Sequence, residues 1–169
     1  MKKITYFLIM IAFIISLTSE SKCYAPLNRP FGFGIMLGEP TGLTAKLWVA
    51  NDQALAFSLG NSYLGALRLG ADYLFHFNAF RTNVVNLYAG PGVAVGFGES
   101  EGWWYVHDED RFWFKRANDV GFGIRGVFGI NIVPRRVPLE IFGEIGVLVG
   151  LLPGTHVNAE GAVGIRYYF

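Results

Sequence analysis

The chain has 169 residues, of which 52% are hydrophobic, 22 are glycine and 15 are phenylalanine, and its formal net charge at pH 7 is +1. This near-neutral charge argues against a nucleic-acid-binding protein, which needs a basic face. After residue 25 no apolar run approaches the roughly 20 residues of a membrane-spanning helix, so the hydrophobic content must lie in shorter elements.

The N-terminal segment has the pattern of a secretory signal peptide. Lys2 and Lys3 precede an apolar stretch over residues 4–17, and small residues end the segment at Ala25. A basic start, a short apolar core and a small-residue cleavage site are typical of exported proteins. We therefore expect residues 1–25 to be cleaved and residues 26–169 to form the mature domain.

Cys23 allows a second interpretation, in which it is the lipidated first residue of a lipoprotein. Glu20 and Lys22 stand where a lipoprotein signal has small or aliphatic residues, which favours cleavage after Ala25. With Cys23 removed the mature domain has no cysteine, so export brings no disulfide framework.

Eight stretches of the mature domain alternate between apolar and polar residues and are bounded by turn residues, which predicts eight β-strands. In chain order they cover residues 31–38, 43–50, 54–62, 66–77, 86–97, 120–133, 139–149 and 157–169. Pro91 in the fifth strand cannot donate a hydrogen bond to a neighbour, so we expect a bulge or a break there. The alternation of the third strand is diluted by small residues, which leaves its register open.

Successive side chains of a strand point to opposite faces, so the predicted sheet has two chemically different faces. One face collects Phe31, Phe33, Ile35, Leu37, Leu43, Leu47, Val49, Leu67, Leu69, Tyr73, Phe75, Phe77, Phe122, Ile124, Phe128, Ile130, Ile141, Ile145 and Val147. The opposite face collects Lys46, Arg68, Asp72, His76, Arg125, Asn131, Glu140, Glu144, Glu160 and Arg166.

The balance of charges on the polar face decides between two closed barrels. A soluble periplasmic lipid-binding barrel exposes its charges to water, where they need no partners. A membrane barrel encloses them, where pairing is required, and the four bases and four acids here can neutralise one another. The sequence therefore predicts an all-β, eight-stranded antiparallel up-and-down transmembrane barrel that is filled by its own side chains. The soluble carrier is kept as an alternative.

The polar face is expected to form an ion-pair network that fixes strand register inside the barrel. Arginines opposite glutamates can form bidentate pairs. The residues of this network are Lys46, Arg68, Asp72, Arg125, Glu140, Glu144, Glu160 and Arg166. His76 is expected to pair with Asp72, four residues away on the same face, as a satisfied core histidine.

The longest connection, residues 98–119, falls outside the cell if both chain ends lie in the periplasm, because bacterial barrels keep their longer loops outside. Its sequence is nearly symmetric around HDED, with aromatic residues on both arms, which predicts a β-hairpin. It is interpreted either as part of the interfacial aromatic girdle or as a projection that binds a partner. The candidate binding residues are Trp103, Trp104, Tyr105, His107, Arg111, Phe112 and Trp113.

The sequence has no recognisable catalytic or metal-binding motif. The acidic tip, residues 107–110, lacks the spacing of a calcium loop, so we expect no metal and no cofactor. Some eight-stranded outer-membrane barrels modify lipids, and such an enzyme would need serine, histidine and an acid together near the rim. The candidates are Ser62, Ser100, His107 and His156, none of which stands in a nucleophile motif.

Three segments resemble a known family: GEPTGLTAKLW (38–48), ADYLFHF (71–77) and VGIRYYF (163–169). They are similar to small, functionally obscure barrel proteins of spirochaetes and other double-membraned bacteria, a family that is itself similar to the OmpA transmembrane domain and OmpX. The resemblance implies an outer-membrane location, and the family supplies no established catalytic residues to carry over. It also implies that Ile165, Tyr167 and Phe169 form the C-terminal signal read by the barrel assembly machinery.

Together these features predict a non-catalytic, monomeric outer-membrane barrel that contacts lipid. It would display an aromatic and acidic hairpin for adhesion, for binding of an extracellular or host protein ligand, or for envelope integrity. A lipid-modifying barrel enzyme is the second alternative.

Overall fold

A computed structural model describes residues 29–80, 82, 84–98, 120–134, 136–152 and 155–169 of the chain. The predicted signal peptide, residues 1–25, and the predicted hairpin beyond Gly98, residues 99–119, lie outside the described residues.

Eight antiparallel strands form a closed barrel, in which each strand pairs with its neighbours in sequence and β1 pairs with β8. The predicted all-β, eight-stranded antiparallel barrel is therefore confirmed. The strand ends differ from the predicted ones by up to three residues. The strands are β1 (Phe31–Gly38), β2 (Thr41–Trp48), β3 (Gln53–Ser62), β4 (Gly65–Phe77), β5 (Val85–Phe97), β6 (Val120–Ile132), β7 (Leu139–Leu152) and β8 (His156–Tyr168).

The two faces of the wall differ as the alternation predicts. Large apolar side chains such as Ile35, Ile145 and Val163 are exposed on the outer face. Of the Asp, Glu, Lys and Arg residues in the described strands, none is exposed, and all of them point into the barrel. The charged groups are thus enclosed, and large apolar side chains dominate the outer surface of the wall.

The strands are strongly tilted. Following paired residues from strand to strand, from Phe31 to Leu47, Leu55 and Tyr73 and on around the wall, leads back to β1. The residue reached in β1 lies about ten positions after Phe31, and this offset is the shear of the barrel. With a rise of about 3.3 Å per residue and about 4.8 Å between strands, this offset corresponds to a tilt of about 40° from the barrel axis. The interior of such a barrel is narrow enough for side chains to fill it.

Pro91 interrupts pairing on one side only. Its pairing with Gly126 of β6 lies within an unbroken ladder. Towards β4 the ladder stops between Asp72 and Phe75, and it resumes in the same register. The expected break is present because proline lacks an N–H, but the alternative expectation of a bulge at Pro91 is wrong.

Register shifts occur at two other places. One lies between Gly60 and Ser62 in the β3–β4 pair, and the other between Phe122 and Gly123 in the β6–β7 pair. The dilution of β3 by small residues does not disturb its pairing with β2, which is continuous from Thr41 to Trp48.

The barrel has two ends, named here by their connections. The loop end carries the first, third, fifth and seventh connections, and the terminal end carries the other three together with the residues before β1 and after β8. The fifth connection is by far the longest. The first and third connections contain only two residues each, and the second, fourth and sixth contain four, seven and six. The orientation rule based on loop length therefore rests on the fifth connection alone.

Candidate functional site

The interior of the barrel contains all eight residues of the expected ion-pair network. Each lies at an inward position of its strand, and their side chains are at most 7% exposed. They separate into two clusters at different heights.

The loop-side cluster consists of Arg68, Asp72, Arg125, Glu144 and Glu160. Arg68 donates two hydrogen bonds to Glu160, at 2.6 and 3.1 Å, in a bidentate pair. The Arg125 guanidinium lies 3.3 Å from Asp72, 3.0 Å from Glu144 and 3.6 Å from Glu160. Since β4, β6, β7 and β8 all contribute, these contacts join strands from different parts of the wall.

The terminal-side cluster consists of Lys46, Glu140 and Arg166. The Lys46 ammonium lies 2.8 Å from the Glu140 carboxylate, and Arg166 lies 3.4 Å from it. Asn131 and Tyr168 also donate hydrogen bonds to Glu140, so one fully buried carboxylate holds four donors. It is the most highly connected acid of the described interior.

Arg166 has further partners that fix its position. Its guanidinium donates to the Thr44 hydroxyl at 3.0 and 2.8 Å and stacks 3.7 Å from the centre of the Phe142 ring. Tyr88 lies between the two clusters and donates a hydrogen bond of 3.0 Å to Glu144. The Lys46 ammonium lies 5.3 Å from the centre of the Tyr88 ring, so Tyr88 contacts both clusters.

The expected pair between His76 and Asp72 is absent. Residues four apart on a strand are about 13 Å from each other, so an i, i+4 contact belongs to helices and does not occur here. The His76 ring instead lies between Trp48, at 4.3 Å, and Tyr88, at 5.4 Å. Neither ring nitrogen has a hydrogen-bond partner among the described residues. His76 is buried by stacking, and Asp72 faces Arg125.

Aromatic and aliphatic side chains fill the space between the charges. At the terminal end Trp48 packs with Ala54 and Tyr168, and its indole N–H donates to the Tyr168 hydroxyl at 3.2 Å. At the loop end the β3–β4 turn folds inward, and Tyr63 and Leu64 lie in one buried cluster with Ala94 and Leu148. Both mouths are occupied by packed side chains.

These filling residues were not singled out from the sequence, although a signal for them is present. Phe142 and Tyr168 stand in step with the charged positions of their strands, on the face that was assigned to the polar interior. Tyr88 stands in step with the buried Asn86 on the inward face of β5, which has no charged residue. Glycines opposite the rings make room for them. A Cβ at Gly32 would lie 2.8 Å from the Tyr168 ring, and one at Gly129 would overlap the Tyr88 ring.

Glu39 and Tyr63 lie in turns at the loop end. The backbone N–H of Tyr63 donates to Glu39, and the Tyr63 hydroxyl donates to Glu160 at 2.7 Å. Burial raises the pKa of Glu39 above its ordinary value, against an opposing hydrogen bond with Ser62. Burial, followed by the neighbouring Glu160 charge, raises the pKa of Tyr63 well above its usual range. In both groups burial shifts the equilibrium towards the neutral form.

The other expected sites are only partly covered by the structure. Phe169, Tyr167 and Ile165 are exposed on the outer face of the wall at the terminal end. The seven candidate binding residues of the hairpin, Trp103, Trp104, Tyr105, His107, Arg111, Phe112 and Trp113, lie outside the described residues.

Ser62, the serine considered for an enzymatic site, has a structural role in the barrel. The Ser62 hydroxyl is buried and accepts hydrogen bonds from Arg68 and from the backbone N–H of Leu64. Within the described ranges, no group of three His, Cys, Asp or Glu side chains could hold a metal ion. The same part of the chain contains no helix long and apolar enough to cross a membrane, which does not bear on barrels, since they cross with strands.

Comparison with known proteins does not assign the chain to a family. No protein-family model matches the chain, and no curated protein matches it in sequence.

Proposed function

We propose that the mature chain spans the outer membrane as a closed, non-catalytic barrel and displays residues 99–119 at the outer surface. The observation that carries this proposal is the distribution of polarity across the wall. In the described strands every charged side chain is enclosed, and the exposed side of the wall is formed by large apolar residues. Lipid is the environment in which such a surface is stable.

The alternative of a soluble lipid carrier requires the opposite arrangement. A carrier keeps an apolar cavity inside and exposes charges to water. Here the interior contains Lys46, Glu140 and Arg166 at one level and five more charged residues at another. An exposed apolar band around the whole barrel would also cause aggregation in water. The polarity of the wall therefore favours the membrane.

The lengths of the longer strands agree with the thickness of a bilayer. β5 and β6 have 13 residues each. At a tilt of about 40° such a strand covers about 30 Å along the barrel axis, which is close to the thickness of the hydrocarbon core. A shell of lipid can thus cover the outer face of the wall.

Side chains close both ends of the barrel, which supports a function other than transport through its interior. Tyr63 and Leu64 occupy the loop end, and Trp48 and Tyr168 occupy the terminal end, with the ion-pair clusters between them. The part of such a barrel that can bind a partner is the long connection at the loop end. The aromatic and acidic composition of residues 99–119 suits binding of an extracellular or host protein, adhesion, or a role in envelope integrity.

Protease treatment of intact cells tests both the location and the orientation. We expect cleavage within residues 104–115, with the barrel itself protected, when the fragments are identified by mass. Cleavage only after the outer membrane is opened would contradict this orientation. Release of the protein with the periplasm, in solution without detergent, would contradict the membrane location and favour the soluble carrier.

Function at the surface is tested by changing the hairpin without changing the wall. Replacing Trp103, Trp104 and Trp113 with serine should abolish binding of cells to a surface coated with extracellular or host protein. The amount of folded barrel should stay unchanged. Loss of lipid modification on changing Ser62 or His156, with binding unaffected, would instead favour the enzyme.

A further inference from the structure

The two ends of the barrel carry charges of opposite sign. The topology brings Arg29, which stands before β1, and the second, fourth and sixth connections to the terminal end. By sequence these segments contain four arginines and one acid, Asp52, so the end is basic even when a carboxylate after Phe169 is counted. The loop end is acidic, because residues 98–119 and Glu39 together contain seven acids and three bases.

The interior continues this gradient. With every carboxyl counted as ionised, the terminal-side cluster has two cations and one anion, Lys46 and Arg166 with Glu140. The loop-side cluster has two cations, Arg68 and Arg125, and three anions. Positive charge therefore increases towards the terminal end both inside the barrel and at its surface.

Two arginines of the terminal end are described, and they lie at the border of the apolar band. Arg29 stands two residues before β1, and one of its nitrogens donates to the backbone oxygen of Tyr168 at 3.1 Å. Arg136 lies in the sixth connection and is exposed. Neither forms an ion pair with an acid in the part of the chain that the structure describes. Within the described residues no acid balances the charge of either guanidinium, and one nitrogen of Arg29 is already used by Tyr168.

Aromatic residues surround the same end. Phe31, Phe75, Phe80, Tyr167 and Phe169 are exposed there, at or beside the ends of their strands. Such side chains are typical of the interface between hydrocarbon and headgroups. With the aromatic rings at that level, Arg29 and Arg136 are placed at the depth of the lipid phosphates.

We propose that Arg29 and Arg136 bind the phosphates of anionic phospholipids in the leaflet that surrounds the terminal end. The guanidinium group is always charged and matches the geometry of a phosphate, which makes it suited to this ligand. The inference rests on the membrane-spanning function proposed above.

The test uses the full mature chain in nanodiscs of phosphatidylcholine with one fifth phosphatidylglycerol. Lipids retained on the barrel are counted by native mass spectrometry. Each arginine near an anionic surface should favour the anionic lipid by roughly fivefold at low salt. We expect retention enriched in phosphatidylglycerol for the natural chain and close to the bulk ratio for the double variant Arg29→Gln, Arg136→Gln.

The matched control is the double variant Lys115→Gln, Arg116→Gln, which removes the same charge from the loop end and should keep the enrichment. Circular dichroism and the heat-dependent gel mobility of each variant establish that the barrel is folded. Retention at the bulk ratio by the natural chain, or equal loss in the control variant, would overturn the proposal.

A further arm separates lipid from free phosphate. Inorganic phosphate, added against chloride at equal ionic strength, should not displace phosphatidylglycerol, and specific displacement would assign the arginines to free phosphate instead. Failure of the chain to enter discs of phosphatidylcholine alone would overturn the membrane-spanning function itself. Entry into those discs without enrichment of the anionic lipid would overturn only this inference.

Discussion

Neutralising Glu140 should destabilise the barrel more than any other single loss of charge. Glu140 is fully buried and forms ion pairs with Lys46 and Arg166. Glu140→Gln keeps the shape of the side chain and removes the charge that both cations share. Two cations would then lie in the interior without the carboxylate that compensates them.

The magnitude follows from the burial of all three groups. Removing one partner of a buried ion pair costs about 3–5 kcal/mol, because the remaining charge stays desolvated. Here the side chains of Lys46 and Glu140 are both 0% exposed, so screening by water does not reduce the effect. We expect the free energy of unfolding to fall by about 4 kcal/mol in Glu140→Gln.

A second variant isolates the electrostatic part of this loss. Adding Lys46→Met to Glu140→Gln removes one of the two uncompensated cations and restores the net charge of the cluster. The double variant should therefore be more stable than the sum of the single effects predicts, by about 1–3 kcal/mol. Glu39→Gln, in a partly buried turn, is the control for loss of a carboxylate.

The assay is equilibrium unfolding in urea of the barrel in lipid vesicles, followed by tryptophan fluorescence and by heat-dependent gel mobility. An unfolding midpoint of Glu140→Gln equal to that of the natural chain would refute the stated role of the terminal-side cluster. Equal effects for Glu140→Gln and Glu39→Gln would show that the loss does not depend on burial.

Three further predictions concern other parts of the interior, each measured as a free energy of unfolding. Glu144→Leu leaves Arg125 with two other carboxylates, so its cost should be smaller, about 2 kcal/mol, and an unchanged midpoint would contradict this. Gly129→Ala overlaps a buried tyrosine ring and should cost about 1–3 kcal/mol, while Gly126→Ala, which meets nothing within 4 Å, should be neutral. Because the pKa of Glu39 is raised in the folded state, its stabilising effect is complete below the unfolded value of 4.5 and is lost as pH rises. Glu39→Gln should accordingly gain stability relative to the natural chain as pH rises above 4.5, and a pH-independent difference would contradict this.

The barrel could be predicted because its two faces are chemically distinct along most strands. Alternation on β6 places Ile124, Phe128 and Ile130 outside and Arg125 inside without any knowledge of partners. Strand ends are less certain, since pairing continues wherever a neighbour is available. β7 thus extends to Leu152, because Gly150 pairs with both β6 and β8 and Leu152 still pairs with Phe122 of β6.

The partners inside the barrel could be predicted only as a set. Alternation assigns Glu160 and Arg125 to the interior. It does not give the shear of the barrel, which decides which inward residues of different strands lie at the same level along the barrel axis. Arg68 pairs with Glu160, 92 residues away, because the tilt of the wall brings β4 and β8 together across the interior. The error over His76 has a related cause, since a spacing that suits a helix was applied to a strand.

The pattern of charges does not by itself identify the aromatic residues that fill the interior. Trp48 and Tyr168 stand at the ends of alternating runs, where they close the terminal end. In a barrel of eight strands the interior must be filled, so any large residue in step with the charged positions is a candidate for that role.

The central claim, that the apolar outer face lies in lipid, is tested most directly by the water accessibility of Ile145. Its side chain is 66% exposed in the isolated barrel, and Val137, in the sixth connection, is 41% exposed. Single cysteines are introduced at each position in a chain in which Cys23 is replaced by serine, and cells are treated with a membrane-permeant or an impermeant maleimide after the outer membrane is opened. We predict that Val137→Cys reacts with both reagents, whereas Ile145→Cys is protected from the impermeant one. Rapid reaction of Ile145→Cys with the impermeant maleimide would contradict the account.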